Sequence, residues 1–593
     1  MKKKESNINN GDLMLFIVES PTKSKTINSI LRSFNYKVNV LATLGHIKDL
    51  PVNNLGVKVE ENFKPIFLFL PYKKKVIENI LNKLKDNVKV IIATDPDREG
   101  EAIAFHVYNE IKNYVKLKNI KNIEIKRAFI NEITYNGIKK GLSNLGDINM
   151  SMVVSQFARR VSDRLIGYRI SPVLWGAFRL KNLSAGRVQT ATLKLIVDKE
   201  KEILNFKPRN YYTFKVIVEI NNKKVEFNLV DLNKELVKVF ENERDKLNFI
   251  EKNLKELLGK ELKFDLRIED RFIKPLPPLK TSTLQQEAAK LGFSASKTML
   301  IAQKLFEGIK IKDKHLGLIT YHRTDSIRVS KEGIELAKSI LKDIKIHRFS
   351  DKSMFDAHEA IRITYNIDLD LLKKYLTEEE FIIYLLIYNR FLAAFDYEAK
   401  YYYQIIKSDS LFNYQDTDIF LFYDSGKIYF KGFLRFLPDY IKNFSIFSRD
   451  YIDLKPGYYY FKIIDFKVLK QKENPPSRYS ISSIIKKMEE TGIGRPSTYA
   501  STINTLLKRN YIQIKKNIIY PTELGIKVCD FLINKYSDLL DIKFTAFLES
   551  KLDEIEKSDR INADKLYIQL LNEIYNYLIK NKKEGFLSKK KNN

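Results

Sequence analysis

Two short apolar runs, each leading into acid, constrain this chain more than any other feature. Met14 to Val18 stops at Glu19, and Val88 to Ala93 leads into Asp95-Pro96-Asp97-Arg98-Glu99-Gly100-Glu101. Apolar runs of this length read as buried strands. After the first, Ser20-Pro21 supplies a helix N-cap and a first-turn proline, and Ile27, Ile30, Leu31 and Phe34 follow at helical spacing. After the second, Glu101 to Ile111 reads as another helix. Strands alternating with helices imply a mainly parallel sheet, and such sheets bind ligands at the carboxyl ends of their strands. Both acidic groups lie at such ends.

In an extended segment residues two apart point the same way, so Asp95, Asp97 and Glu99 converge. Three hard oxygen ligands suit Mg²⁺, with Glu19 and Lys23 at the neighbouring strand end. A solvated acidic turn before a helix N-terminus is the plainer alternative. A second cluster, Gly317 to Ser326, places Tyr321 at the end of a short strand candidate, Gly317 to Tyr321, with Arg323 two residues on. A tyrosine can attack phosphorus, and a guanidinium beside it stabilises phenolate and phosphoryl oxygens. With 33 tyrosines in the chain, a buried strand tyrosine beside a surface arginine explains the pattern equally well. In Asp356 to Arg362, His358 and Arg362 share one face if helical, able to grip a phosphate or simply to sit at the surface.

The rest of the chain divides by pattern. Met150 to Lys207 is helical and arginine-rich. Tyr211 to Phe272 and Tyr401 to Leu469 alternate in short β-like runs, flanking a helical block, Leu279 to Ala399. A last helical block, Ser480 to Lys580, precedes a basic tail, Lys589-Lys590-Lys591. Two β segments around a helical block predict one domain inserted into another, with Pro275-Leu276-Pro277-Pro278 and Pro475-Pro476 as joints. Gly492-Ile493-Gly494-Arg495-Pro496 lacks the Lys-Ser/Thr of a phosphate-binding loop, so no ATP is expected.

Charge adds a partner class. The chain carries 103 Lys plus Arg against 73 Asp plus Glu, net +30 over 593 residues, which favours a polyanion. Only 24 of the basic residues are arginine, and the abundance of Lys, Asn, Ile, Tyr and Phe together fits an AT-rich coding sequence, so much of the excess is ordinary lysine surface. Six of those arginines fall between Arg159 and Arg187, where planar forked geometry suits phosphates. Nearby, the Ser184-Ala185-Gly186-Arg187-Val188-Gln189 turn offers backbone N–H groups to a phosphodiester. No apolar run reaches the roughly 18 residues of a membrane span, and Met1 to Asp12 lacks a secretory apolar core. The expectation is a cytoplasmic protein of three to five domains. One cysteine, Cys529, excludes an intrachain disulfide scaffold and any Cys₄ zinc ribbon.

Together and in this order, the segments resemble the type IA DNA topoisomerases. Glu19-Ser20-Pro21-Thr22-Lys23 and Asp95 to Glu101 look like the two halves of a Toprim domain, and Tyr321-His322-Arg323-Thr324-Asp325-Ser326 like the nucleophile motif. Ala357-His358-Glu359-Ala360-Ile361-Arg362 and Gly494-Arg495-Pro496-Ser497-Thr498-Tyr499-Ala500 resemble two further signatures, and the wording of the last favours topoisomerase I over topoisomerase III. Ile363 stands where the family usually has proline.

The resemblance implies a multidomain α/β and α+β fold, with a Toprim domain, helical domains and a β-rich arch ringing a central hole. Its implied boundaries are 12–149 for Toprim, 150–210 with 476–585 for a split helical single-strand-binding domain, and 211–278 with 400–475 for the arch. Residues 279–399 carry the nucleophile, and 586–593 form a basic tail. The implied activity is ATP-independent, Mg²⁺-dependent relaxation of negatively supercoiled DNA through a 5′-phosphotyrosine. Tyr321 is the implied nucleophile and Arg323 its stabiliser. Glu19 is the implied acid and base, Lys23 assists at the phosphate and His358 orients it. Glu19, Asp95, Asp97 and Glu99 are the implied Mg²⁺ ligands. His46, Arg159, Arg160, Asp163, Tyr168, Trp175, Ser184 to Gln189, Arg323, Arg362, Arg495 and Arg509 are the implied DNA contacts. The protein is expected to be a nucleoid-associated monomer without zinc, in a form lacking the zinc ribbons with which topoisomerase I usually continues. A topoisomerase III-like decatenase or RNA-acting relative, a Toprim nuclease or primase, and a non-enzymatic single-strand-binding protein are the alternatives.

Overall fold

A computed structural model describes residues 13–347, 349 and 358–587. Residues 588–593 of the basic tail, the first twelve residues and Asp356-Ala357 of the third motif lie outside the described residues.

Both acid-tipped runs are central strands. A four-stranded parallel sheet runs in the order Lys37–Ala42, Leu13–Val18, Lys89–Ile92, Glu124–Arg127. Period-two alternation in Leu13–Val18 sends Leu15 and Ile17 into a core with Ile103 and Val107. Met14, Phe16 and Val18 face the opposite core, which continues into Phe306, Tyr321, Ile361 and Ile363. One uninterrupted apolar cluster therefore joins the sheet to the block that carries Tyr321. Helix Pro21–Ser33 follows the first strand, capped by Ser20, whose Oγ accepts from Lys23 N at 3.1 Å. Helix Arg98–Lys118 follows the second.

Three local expectations change. Asp95 to Glu101 is not one extended segment: Asp97 caps helix Arg98–Lys118, accepting from Gly100 N at 2.9 Å, so Glu99 lies in the first helical turn. A Cβ on Gly100 would lie 2.2 Å from the Asp95 carbonyl oxygen, so the turn accepts only glycine. Gly317 to Tyr321 is not a strand; Ile319 makes a single bridge to Ile363, and Thr320 N donates to Arg362 O at 2.9 Å. Pairing ends there because the partner, 358–363, is irregular and not the helix that would put His358 and Arg362 on one face.

Six long antiparallel strands close into a barrel. Their order is Lys223–Val230, Thr417–Phe430, Ala399–Ser408, Glu261–Ile273, Gly457–Lys472 and Asn210–Ile220, the last pairing back onto the first. Closure removes the free edges that such aromatic, β-branched strands would otherwise expose. Helix Arg244–Leu257 interrupts the run read as β and drives Ile250 and Leu254 into the barrel core beside Phe227, Phe264 and Ile406.

Helices from two distant stretches share the remaining core. Met150–Phe178 and Arg187–Asn205 pack with Tyr499–Lys508, Ile542–Lys557 and Arg560–Leu587 around Leu165, Ile170, Leu548, Leu552 and Leu571. Among the described residues no helix is long and apolar enough to cross a membrane.

Candidate active site

Because Leu13–Val18 and Lys89–Ile92 are neighbours, their acidic ends meet: Glu19 Oε1 accepts from Asp95 N at 2.8 Å. Lys23, one turn into its helix, bonds Asp95 Oδ1, both side chains being 3% exposed. Its ammonium lies 5.2 Å from the Phe306 ring, and burial pushes its pKa down against the attraction of Glu19.

Tyr321, more than 220 residues away in sequence, enters the same pocket. Its backbone N donates to Asn131 O at 2.8 Å and its hydroxyl to Asp97 Oδ2 at 2.6 Å. The phenol is 2% exposed, edge-on to Phe306. Arg323 Nη1 stands 3.6 Å from the same Asp97 oxygen, and His358 Nε2 meets the Pro96 carbonyl. His46 Nε2 faces Glu99 Oε2 at 2.8 Å.

Burial dominates the electrostatics. It raises the Glu19 carboxyl, with Asp97 adding to the rise and Lys23 opposing it. It raises the Tyr321 phenol, and the Asp97 charge raises it further. Burial also opposes charge on Asp97, yet Arg323, the Tyr321 hydroxyl and Gly100 N–H hold that carboxyl below its ordinary range. Glu99 is likewise held low, against burial, by His46 and Arg159.

Among the described residues no three Asp, Glu, His or Cys side chains already converge as a metal cage. Asp95 is closed off by Lys23, while Glu19, Asp97 and Glu99 feel one another across the pocket. That donor set of crowded, hard carboxylates fits Mg²⁺, a cation that keeps several waters and needs few protein ligands. The pocket floor rests on a pair missed in the sequence: Arg127 Nε donates to Glu101 Oε2 at 2.8 Å, both fully buried, and Arg127 Nη2 to Asp95 O at 2.9 Å.

Most of the other expected DNA contacts lie on or beside helices Met150–Phe178, Arg187–Asn205 and Tyr499–Lys508. Arg160 bonds both oxygens of Asp49, at 2.8 and 2.6 Å, and Arg159 reaches Ser497 Oγ at 3.3 Å. Tyr168 and Trp175 are exposed, Trp175 Nε1 donating to Leu183 O at 2.7 Å. Gln189 Nε2 and Tyr511 OH both donate to Ser184 O, Arg509 Nε donates to Ser184 Oγ, and Ala185 N to Ser171 Oγ. Gly186 caps helix Arg187–Asn205, which Val188 continues.

Three expected contacts are interior, Ala185 and two arginines. Arg187, 1% exposed, bonds Glu549 at 2.6 Å and Asp163 at 2.9 Å; Arg362, 2% exposed, bonds Glu359 and Glu132. Neither guanidinium faces solvent here, because a buried cation needs carboxylate partners. Arg495 is held by Asp553, which Arg98 also bonds along with Glu556. The acidic stripe Glu549, Asp553, Glu556 was missed, although its spacing of four and three marks one helix face.

This fold and pocket are those of a Toprim protein. A Toprim domain model matches residues 14–133, and a DNA topoisomerase model matches residues 147–566. The chain is 40% identical over 582 residues to DNA topoisomerase 1 of Thermotoga maritima, covering 93% of this chain and 83% of that protein. It is 37% identical over 571 residues to DNA topoisomerase 1 of Campylobacter jejuni, covering 92% and 76%. The structure of full-length topoisomerase I from Thermotoga maritima matches with a TM-score of 0.76 at 36% identity, covering 95% of this chain and 90% of that one. The chain belongs to the type IA DNA topoisomerases, enzymes of the isomerase class, and its similarity is to bacterial topoisomerase I.

Proposed function

We propose that this enzyme relaxes negatively supercoiled DNA, without ATP, by opening and resealing one strand at Tyr321. The observation that carries the reading is the Tyr321 hydroxyl, buried and bonded at 2.6 Å to Asp97 at the acidic strand ends. The phenol oxygen attacks a phosphodiester of a single-stranded segment. A Tyr321–phosphorus bond forms at the 5′ side, the bond to the 3′-oxygen breaks, and the phenol proton leaves along its hydrogen bond to Asp97. Glu19, whose raised pKa keeps a proton available, gives it to the 3′-oxygen and takes it back on resealing. Arg323 stabilises the phenolate and the phosphoryl oxygens, assisted by Lys23, and His358 orients the phosphate. Because phosphotyrosine conserves the bond energy, resealing needs no nucleotide.

Asp97 and Glu99 would hold Mg²⁺, joined by Glu19 once it has given up its proton, with Asp95 behind them as Lys23's partner. When bound, the ion supplies positive charge that positions the broken end for resealing. The single strand follows Arg159, Arg160, Asp163, Tyr168, Trp175, the accessible residues Ser184, Gly186, Val188 and Gln189 of the turn, Arg495 and Arg509. Residues 279–399 lift from Toprim residues 12–149, hinged on the barrel formed by 211–278 and 400–475, while 150–210 and 476–585 hold the strand. The enzyme acts as a nucleoid-associated monomer. Plasmid assays with Mg²⁺ test the activity: stepwise relaxation of negative supercoils that stops short of positive ones is expected. Unlinking of catenanes without relaxation, or free nicked ends, would contradict it.

A further inference from the structure

A solvated sheet face ordinarily carries polar residues. At one end of the barrel, strands Glu261–Ile273, Ala399–Ser408 and Thr417–Phe430 run past the core, and the face that carries Leu266 and Ile406 into it emerges into solvent still bearing rings. Phe272 lies opposite Lys400, Lys400 opposite Phe430, and Tyr402 opposite both Asp270 and Lys427. The register shift beside Lys400 leaves Tyr429 as an extra residue, and its ring stacks on Tyr402 at 4.5 Å. Phe272 is 58% exposed, Tyr402 38%, Tyr429 46% and Phe430 43%. The opposite face of the same strand ends is packed, with Ile273, Tyr401 and Ile428 against Phe433, so the exposed rings stand on a firm base.

Charge surrounds the rings. Lys274 stands 6.0 Å from the Phe272 ring centre and Lys427 5.3 Å from that of Tyr451. Lys400 and Lys431 are also exposed. Against these four lysines stand Asp270, which bonds the Tyr429 hydroxyl, and Asp453, 3.7 Å from Lys427. Contiguous exposed aromatics on a well-packed sheet mark an interaction surface, and aromatics interleaved with lysines suit a chain with flat bases and a charged backbone.

We propose that this face is a second binding platform for single-stranded DNA, separate from the Tyr321 pocket. Bases stack on Phe272, Tyr402, Tyr429 and Phe430, and the lysines follow the phosphates. Stacking of this kind tolerates any sequence, because every base has a π face. The inference rests on the reading that the enzyme acts on DNA.

The test uses the full chain carrying Tyr321→Phe and an oligothymidine of about 30 nucleotides substituted with 5-bromouracil, long enough to outreach one site of roughly 4–16 nucleotides. Ultraviolet cross-links are expected on peptides containing Tyr402 or Tyr429. Replacing Phe272, Tyr402 and Tyr429 with serine should weaken binding about tenfold at an unchanged melting temperature. Lys400→Ala with Lys427→Ala should reduce the salt slope by roughly one. Adduct formation by the chain with Tyr321 intact is scored separately, so loss of the adduct and loss of the cross-links are distinct failures. Unchanged affinity with cross-links confined to other surfaces would overturn the proposal. So would a concentration-dependent dimer that the serine variant abolishes while DNA affinity holds.

Discussion

Tyr321 is held for its task by three neighbours that no local pattern connects. Asn131 fixes its backbone, Asp97 its hydroxyl, and Phe306 its ring. The Asp97 carboxyl is held low, so it aims the phenol and releases the phenol's proton to bulk water, from which the phenolate regains it on resealing. Glu19 is the reverse case, a carboxyl pushed up by burial. Glu19→Gln should therefore lower the rate of cleavage by roughly 10²–10⁴ while oligonucleotide affinity stays close to wild type, as quench-flow and binding isotherms would show. A loss of affinity equal to the loss of rate would assign Glu19 to binding. Glu19 and Asp97 were legible because they follow buried strands, whereas Tyr321 stood out only through the resemblance of its motif. Their partners were not: Asn131 and Glu132 follow a strand end without apolar periodicity, and only the folded sheet brings them to Tyr321 and Arg362.

Helix Ile542–Lys557 turns three carboxylates toward arginines from four other stretches of the chain. Glu549 is held down to about 2, against burial, by Arg187 first, then by Arg159, Arg495 and Arg98. Its unfolded value is near the ordinary 4.5, so its contribution is complete above pH 4.5 and is lost as pH falls toward 2. That contribution is about 3 kcal/mol. Glu549→Gln should flatten the acid limb of a stability–pH curve in that window, and should also destabilise the chain at neutral pH by leaving Arg187 short of charge. His106 behaves separately. Buried among Phe67, Phe105 and Phe157, it is pushed down to about 3, so the stability of its neutral form is lost as pH falls below its ordinary 6.5. His106→Phe should remove acid sensitivity between pH 6.5 and 3 and leave the Glu549 window intact, in urea titrations at stepped pH. At this scale continuous apolar runs were legible, as in Met14 to Val18 and Val88 to Ala93. Helix Arg244–Leu257 was overlooked although Leu247, Ile250, Leu254 and Leu257 carry helical spacing, because β-like runs surround it. Barrel closure was invisible, since pairing Lys223–Val230 with Thr417–Phe430 joins residues almost 200 apart.

At the scale of the whole molecule, the Toprim domain and the block that carries Tyr321 are packed against each other. The core under Leu13–Val18 runs unbroken into Phe306 and Tyr321, and the Toprim residues Thr26, Pro96, Asn131 and Glu132 all bond the block that carries Tyr321. Opening the proposed gate requires that no buried charge be stranded. Arg362 meets this need, because Glu359 on its own side keeps it neutralised when Glu132 withdraws. Glu132→Gln should therefore leave folding intact and raise the open fraction roughly tenfold, the worth of one hydrogen bond to a charged group. Energy transfer between dyes on the helix Lys331–Leu341 and on the Toprim helix Lys73–Leu81 would measure it, and an unchanged open fraction would remove Glu132 from the gate.

The central claim is that Tyr321 makes the covalent link. End-labelled single-stranded DNA is mixed with the enzyme and Mg²⁺, then trapped with denaturant. The wild-type chain should retain a 5′-linked adduct, and Tyr321→Phe should bind the same DNA yet retain none. An adduct of undiminished yield in Tyr321→Phe would contradict the mechanism.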